Sequence, residues 1–371
     1  MKVNGRHAMY ITIPLILMGL LNACNSGSSS SSSPTVSYNK FFCPNTTNVS
    51  FPGVSGVREV ESNSAQVYVT GVYVQYGGNH AFLYQGTVTG GGICNEFNFP
   101  SGVGRTVTST SLYGPDNSGH NVVVVGSYTT LESGPIAQQG LLYIGAPDGS
   151  TTAGYKTLYP VSLVTDPNDS IINTLGHSTM GGMVVGNYDT RLLTGQAFIY
   201  NIATDTYYQL KRPDGSASLT AYGIWYNGGT SYTIAGGYSD VNAGGMNTGF
   251  IADWDSTKPE VMTNFTSLSY NNLPESTVGT HFEGITGDGH GGYNLAADWN
   301  YPASLTTPTF AHIARNPDGS FAQATWIPFN YFPGSSWTSA NTIYKNYILG
   351  LYQAGTPTMD YGYVATIPTI Y

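Results

Sequence analysis

Charge is scarce in this 371-residue sequence: only 9% of the residues are Asp, Glu, Lys or Arg, and the formal net charge is −9. Proteins that bind nucleic acid or anionic lipid headgroups present clustered Lys and Arg, because their attraction to phosphates is electrostatic. Here 12 basic residues are spread among 21 acidic ones. The composition therefore argues against nucleic acid as a partner.

Recognisable catalytic motifs are also missing. The sequence has no Gly-x-Ser-x-Gly nucleophile elbow, no His-Glu-x-x-His zinc helix and no glycine-rich phosphate loop. Its 47 glycines fall mainly at turns and strand ends. We therefore expect neither a cofactor nor a metal ion, and the motifs point to no particular enzyme class.

Helical periodicity is absent after residue 40, and a short pattern recurs in its place. A Gly or Ala, one further residue and then an aromatic form a landmark that appears six times. The landmarks are Gly71/Tyr73, Gly126/Tyr128, Gly186/Tyr188, Gly236/Tyr238, Ala297/Trp299 and Gly350/Tyr352. Repeats of roughly 50 to 60 residues are typical of arrays of equivalent β units.

Each landmark lies among short β-branched and aromatic runs bounded by Gly, Asn, Asp and Pro, which predict four antiparallel strands per unit. Four such strands make one blade of a β-propeller. The fold predicted is all-β, a six-bladed propeller of four-stranded antiparallel blades. The last unit lacks an outer strand, and residues 48–53 resemble one, so we expect this N-terminal segment to close the last blade.

Two runs give the sequence a family resemblance, His80-Ala81-Phe82-Leu83-Tyr84 and Gln196-Ala197-Phe198-Ile199-Tyr200. With the upstream Val184-Val185-Gly186-Asn187-Tyr188, residues 65–371 resemble the HAF extracellular repeats of bacterial proteins. The resemblance implies an exported, propeller-like array, and it implies no catalytic residue.

The N-terminus has the layout of an export signal. Lys2 and Arg6 precede the apolar residues 9–21, a run too short to span a bilayer as a stable helix. Leu21-Asn22-Ala23-Cys24 resembles the bacterial lipoprotein cleavage box, which implies a lipid on Cys24; an ordinary secretory signal is the alternative. The predicted organisation is a signal peptide at 1–23, a lipidated Ser-rich tether at 24–40 and one propeller domain at 41–371.

This organisation predicts a location in the cell envelope. The lipid would be the only contact with a bacterial membrane, and the absence of Asp after Cys24 favours the outer membrane. The remaining cysteines, Cys43 and Cys94, form an even pair in an oxidising compartment, which favours a disulfide over two buried thiols.

The most distinctive polar pair is His281 with Glu283, which share one face of a predicted innermost strand. Such a pair serves acid–base chemistry or contributes two metal ligands, and it also occurs as a purely structural hydrogen-bonded pair. Glu283 precedes a glycine, as Tyr113, Leu175 and Tyr222 do, and Tyr344 is a looser equivalent in the sixth unit. These side chains either surround one axial opening or pack between blades.

Two functions are compatible with this sequence. The first, favoured by the anchor and the missing catalytic motifs, is a binding or adhesion module for a protein or glycan, with Tyr113, Tyr222, His281, Glu283 and Tyr344 as candidate ligand-binding residues. The alternative is an anchored enzyme that acts on glycans, which requires paired carboxylates in the central funnel. Glu283 is the strand acid expected there, and Glu59 and Glu61 are the other candidates.

Overall fold

Four-stranded antiparallel sheets repeat six times around a ring, so the predicted six-bladed propeller is confirmed. The computed structural model describes residues 35–43, 50–75, 78–132, 134, 136–213, 218–239, 246–329 and 332–368. Within these ranges helical structure is limited to short 3₁₀ turns. None of the described residues forms a helix that is long and apolar enough to cross a membrane.

The strands of each blade follow one another from the axis to the rim. Blade 1 has β2 (Ser50–Glu59), β3 (Gln66–Gln75), β4 (Gly78–Thr87) and β5 (Gly90–Glu96), and blade 2 has β6 (Val107–Ser118), β7 (Asn121–Thr130), β8 (Gln139–Gly145) and β9 (Tyr155–Leu158). Blade 3 has β10 (Ile171–Met180), β11 (Met183–Thr190), β12 (Gln196–Asn201) and β13 (Thr206–Gln209), and blade 4 has β14 (Ser218–Gly228), β15 (Ser231–Ser239), β16 (Asn247–Asp255) and β17 (Met262–Leu268). Blade 5 has β18 (Gly279–Gly287), β19 (Tyr293–Asn300), β20 (Thr307–Ile313) and β21 (Thr325–Pro328), and blade 6 has β22 (Trp337–Tyr344), β23 (Tyr347–Ala354), β24 (Met359–Thr366) and β1 (Ser37–Phe41).

The recurring landmark lies on the second strand of every blade, and its glycine has a steric cause. A Cβ on Gly126 would lie 2.0 Å from the Ser111 carbonyl oxygen of the neighbouring innermost strand, and one on Gly186 would lie 2.1 Å from the Leu175 carbonyl oxygen. Gly71, Gly236 and Gly350 have the same close neighbour, at 2.0 to 2.1 Å. The landmark glycines therefore allow two strands of one sheet to approach closely.

A branched side chain at this position is expected to destabilise the fold strongly. Gly186→Val should cost about 3 kcal/mol or more in unfolding free energy, because the backbone on both sides has to move. Chemical denaturation followed by circular dichroism measures the loss. The matched change Ala297→Gly, at the landmark that already carries a methyl group, should cost about 1 kcal/mol. Equal losses for the two variants would contradict this explanation.

The landmark aromatics fill the body of the blades. The five landmark tyrosines are buried. Tyr128 stacks on Phe99 with ring centroids 3.9 Å apart, and Tyr352 stacks on Phe332 at 4.0 Å. The landmark Trp299 stacks on Tyr270 at 4.1 Å. At these positions, aromatic residues serve packing.

An N-terminal strand closes the last blade, as expected, but a different segment supplies it. Ser37–Phe41 forms β1, which pairs antiparallel with β24 from Ser37↔Thr366 to Phe41↔Gly362. The predicted segment 48–53 was wrong: residues 50–53 open β2, the innermost strand of blade 1. Residues 48 and 49 lie outside the described residues. The compact β unit begins at Val36, so β1 starts within the residues 24–40 that the sequence assigns to the tether.

The predicted disulfide is present. Cys43 lies two residues after β1, and Cys94 lies on β5, the outer strand of blade 1, with 5.5 Å between the two Cα atoms. Because β1 belongs to blade 6, this bond covalently links the closing strand to the first blade. The predicted lipidation site, Cys24, lies outside the described residues.

Candidate functional site

Each innermost strand contains a β-bulge at the same level. The register with the second strand shifts by at least one residue there, so one side chain per blade is left outside the regular pairing. The bulged residues are Ser55, Tyr113, His177, Tyr222, Glu283 and Asn341. Bulges of this kind redirect side chains and are frequent beside active sites.

The bulged residues meet at the propeller axis. Ser55, His177, Tyr222 and Glu283, from four different blades, line a narrow axial cavity. The Tyr113 and His177 rings are 5.4 Å apart, and His177 stacks on Tyr222 at 4.0 Å. Side chains from neighbouring blades therefore form a continuous polar and aromatic cluster at the centre of the ring.

The sequence identified three members of this set and missed the others. Tyr113, Tyr222 and Glu283 occupy the bulge as expected, each followed by a glycine. In blade 3 the bulged His177 is followed by Ser178, so the search for a following glycine selected Leu175 instead. In blade 6 the bulged Asn341 is followed by Thr342, and Tyr344, which precedes Lys345 and was only a looser match, was selected instead. The following glycines make room for the next blade: a Cβ on Gly114 would lie 2.6 Å from the Ser178 Cα.

A second level of side chains comes from the middle residue of each landmark. Asn187 bonds to the imidazole Nε2 of His177 in blade 3. In blade 5 the equivalent residue is Asp298, which pairs across the sheet with His281 and interacts electrostatically with Glu283. Sequence reasoning missed Asp298, although it is the one acidic residue at the middle of the six landmarks.

The propeller has two faces at the axis: innermost strands begin at one, the N-face, and end at the other, the C-face. A pocket of about 310 Å³ opens on the N-face between blades 4 and 5. Tyr222, His281, Glu283 and Asp298 line it, together with hydroxyl and amide side chains. This volume is at the lower end of the range typical of small-ligand sites.

His281 is fixed in this pocket from two sides. Its Nδ1 lies 2.8 Å from Glu283 Oε1, at ion-pair distance but without hydrogen-bond geometry, and its Nε2 lies 3.1 Å from Thr220 Oγ1 of blade 4. The imidazole also occupies the space left by the missing side chain of Gly237, where a Cβ would lie 2.2 Å from the His281 Cδ2. The predicted His281–Glu283 pair is therefore close in space, and blade 4 orients it.

Burial determines the electrostatics of the Asp298 carboxyl group. The pKa of Asp298 is well above its ordinary value because the group is removed from solvent and lies beside Glu283, and the Ala340 N–H that donates to its Oδ1 at 3.0 Å opposes the shift. Such a carboxyl group retains its proton towards neutral pH. The Glu283 side chain is 22% exposed and borders the same pocket.

His177 makes the stability of the folded protein depend on pH. Burial lowers its pKa to about 4, against a partly opposing bond to Asn187. The unfolded chain, in which His titrates near pH 6.5, therefore binds this proton more readily than the folded protein. Stability contributed by neutral His177 is complete above about pH 6.5 and is lost as the pH falls towards 4, by about 3 kcal/mol in total.

We therefore expect His177→Gln to flatten the decrease in stability between neutral and acid pH. Urea unfolding at a series of pH values measures this slope. The matched variant His120→Gln changes an exposed histidine and should keep the wild-type slope. An unchanged slope in His177→Gln would show that other groups produce the acid sensitivity.

The remaining predicted residue, Tyr344, lies away from this pocket. Its hydroxyl donates to Glu59 Oε1 at 2.9 Å, and Lys345 Nζ lies 3.3 Å from the same oxygen. All three residues line a pocket on the C-face. Tyr344 and Glu59 therefore do not join Glu283, and Glu61 does not line the N-face pocket either.

Across the described ranges, no group of three or more His, Cys, Asp or Glu side chains is arranged to hold a metal ion. The N-face pocket presents two carboxyl groups, an imidazole, two phenols and several neutral hydroxyl and amide groups.

Comparisons with known proteins find similarity in fold. No protein-family model matches the sequence, and no curated protein sequence matches it. Among solved structures, the Penicillium chrysogenum α-L-arabinanase complexed with arabinobiose has a TM-score of 0.48 at 11% identity, covering 90% of this chain and 99% of that one. The Bacillus licheniformis GH43 endo-arabinanase has a TM-score of 0.38 at 9% identity, with 88% and 96% covered.

The catalytic domain of the Coprinopsis cinerea GH62 α-L-arabinofuranosidase has a TM-score of 0.36 at 13% identity and covers 85% of this chain and 91% of that one. At these identities and TM-scores, the similarity carries no argument about activity. The HAF-type family assignment stays a prediction.

Proposed function

We propose that the protein is a glycan-acting hydrolase whose N-face pocket cleaves a glycosidic bond with Glu283 and Asp298. The observation that carries the proposal is the pairing of these two carboxyl groups on adjacent strands of blade 5, in one pocket, with the pKa of Asp298 raised partly by Glu283. A pair of carboxyl groups of which one keeps its proton is the minimum equipment for glycoside hydrolysis. This pair is the feature that separates an enzyme from a simple binding module.

The two residues take different roles in this proposal. Asp298 retains its proton and donates it to the leaving-group oxygen as the glycosidic bond breaks. Glu283, held at 2.8 Å from His281 Nδ1, acts from the pocket wall as the carboxylate that activates water or attacks the sugar. Thr220, through its contact with His281 Nε2, positions that imidazole.

The lining of the pocket supports a neutral sugar as substrate. Besides its acids and His281, the pocket presents Ser218, Thr220, Asn247, Asn300 and Thr306. Hydroxyl and amide groups donate and accept hydrogen bonds in the way that sugar hydroxyls require. With Glu283 acting as a carboxylate and neither Lys nor Arg among the lining residues, the pocket offers an anionic substrate no opposite charge.

The test is a hydrolysis assay on a panel of neutral polysaccharides and oligosaccharides, read out as new reducing ends. We expect release by the wild-type protein and about 10³-fold slower release by Glu283→Gln. Saturable glycan binding without release of reducing ends from any member of the panel would contradict the hydrolase and support the binding module.

We further propose that the mature protein is a lipoprotein of the cell envelope. The support is the sequence Leu21-Asn22-Ala23-Cys24 after a short apolar run. We expect Cys24→Ser to abolish incorporation of labelled fatty acid and to release the protein from the membrane fraction. Cys43→Ser, which changes a disulfide cysteine instead, should leave labelling intact. Normal labelling of Cys24→Ser would contradict the lipoprotein assignment.

A further inference from the structure

The C-face carries a second pocket, of about 350 Å³, which the proposed hydrolase chemistry does not use. It is formed where the innermost strands end, by Arg58 and Glu59 of β2, Trp225 of β14 and Gly287 of β18, with Lys345 just after β22. The N-face pocket lies at the opposite ends of these strands. The two pockets therefore have different linings and different charges.

Arg58 is the unusual residue of this pocket. Its side chain is 8% exposed and lies over the Trp225 ring, with Cζ 5.3 Å from the ring centroid. Within the described part of the chain, its Nε has no hydrogen-bond partner, and Nη2 reaches the Ile224 carbonyl only at 3.5 Å. A guanidinium has five N–H donors, so a buried one with donors to spare is costly unless a ligand accepts them.

The two neighbouring acidic residues do not occupy the unused N–H donors of Arg58. Glu59 is engaged by Lys345 and by the Tyr344 hydroxyl, at 3.3 and 2.9 Å. Asp116 accepts the Gly181 N–H at 3.0 Å, and burial raises its pKa despite the charge of Arg58. Neither residue provides a hydrogen-bond acceptor for the Arg58 Nε–H. A ligand that brings an acidic group to Arg58 would supply the missing hydrogen-bond acceptor.

We propose that the C-face pocket binds a hydroxylated carboxylate, such as a sugar acid, whose carboxylate pairs with Arg58. A monoanion fits better than a phosphate dianion, because the carboxyl groups of Glu59 and Asp116 already interact with the guanidinium. A carboxylate also matches the planar fork of the guanidinium. Ser62, Asn117 and Asn227 supply polar groups for hydroxyls, and Trp225 supplies an apolar shelf.

The test uses the full-length protein and two probes with the same ring, glucuronate and glucose, measured by isothermal titration calorimetry. We expect saturable binding of glucuronate at least ten-fold tighter than that of glucose. Arg58→Met should weaken glucuronate binding at least ten-fold, because it removes the guanidinium that pairs with the carboxylate. Lys258→Met removes an exposed cation outside the pocket and should bind like the wild type.

Ser62→Glu is the second variant, since Ser62 is exposed at the mouth and its replacement leaves the core intact. It should also weaken glucuronate binding by charge repulsion. Glu283→Gln should have no effect, which separates this site from the hydrolase pocket. Equal affinity for the two probes, no glucuronate binding, or binding that both Arg58→Met and Ser62→Glu leave unchanged would overturn the proposal.

Discussion

Glu283→Gln should reduce glycan hydrolysis by about 10³-fold and leave the melting temperature close to that of the wild type. The loss follows because an amide can neither activate water nor attack a sugar. The fold should tolerate the change because Glu283 is a bulged residue outside the regular strand pairing and is partly exposed. Steady-state kinetics beside a thermal melt measure both quantities.

Asp298→Asn should reveal its role through the leaving group. Natural glycans need a proton on the departing oxygen and should lose about 10³-fold in rate, whereas an aryl glycoside with an acidic phenol should lose much less. The wild-type rate should fall on the alkaline side as Asp298 loses its proton, and Asp298→Asn should lose that limb of the pH profile.

The controls are Glu260→Gln and Asp318→Asn, which change exposed acids away from the pocket and should keep full activity. Fully active Glu283→Gln and Asp298→Asn proteins would reject the assigned roles, whatever glycan the enzyme cleaves. A large fall in melting temperature for Asp298→Asn alone would indicate that its bond to Ala340 is structural.

Removal of residues 36–41 should lower the free energy of unfolding by about 5 kcal/mol or more, enough to prevent folding at physiological temperature. The deletion removes the outer strand of blade 6 and exposes the edge of β24. It also removes Phe41, which is buried and packs on Phe82 and Tyr84 of blade 1, with ring centroids 6.4 and 5.1 Å away. Blade 6 and blade 1 would lose a shared contact.

Deletion of residues 26–33 is the matched control, because it shortens the chain upstream of β1 and should leave the melting temperature unchanged. Phe41→Ala tests the packing contribution alone and should cost about 3 to 5 kcal/mol. The same melting temperature for both deletions would show that β1 does not hold the ring closed.

The propeller fold could be predicted from the sequence because a steric constraint makes the landmark glycine recur. A Cβ at the landmark glycine would lie only 2.0 to 2.1 Å from a carbonyl oxygen of the neighbouring strand, so glycine recurs at this position in five of the six blades. The closing strand was harder to place. Both residues 37–41 and residues 48–53 have strand-like composition, and the choice between them depends on long-range pairing with β24 that no local pattern reveals.

Only three of the six bulged residues were predicted, because the sequence shows local patterns but not the alignment of the blades in space. Tyr113, Tyr222 and Glu283 were found because a glycine follows each of them. His177 and Asn341 lack that marker, whereas Ser55 has it, in Gly56, and was overlooked. Asp298 reaches the pocket from the second strand, where only the three-dimensional alignment of the blades makes its position equivalent to Asn187.

The six bulged positions can vary in residue type without changing the strand pairing that defines the fold. An extra residue on an innermost strand has no partner across the sheet, so its identity can change without altering the register of its neighbours. The positions hold Ser, Tyr, His, Tyr, Glu and Asn on a common backbone. These six positions can therefore accept different residues on the same backbone. A combinatorial library at these positions would vary the side-chain chemistry at the propeller axis while keeping the fold.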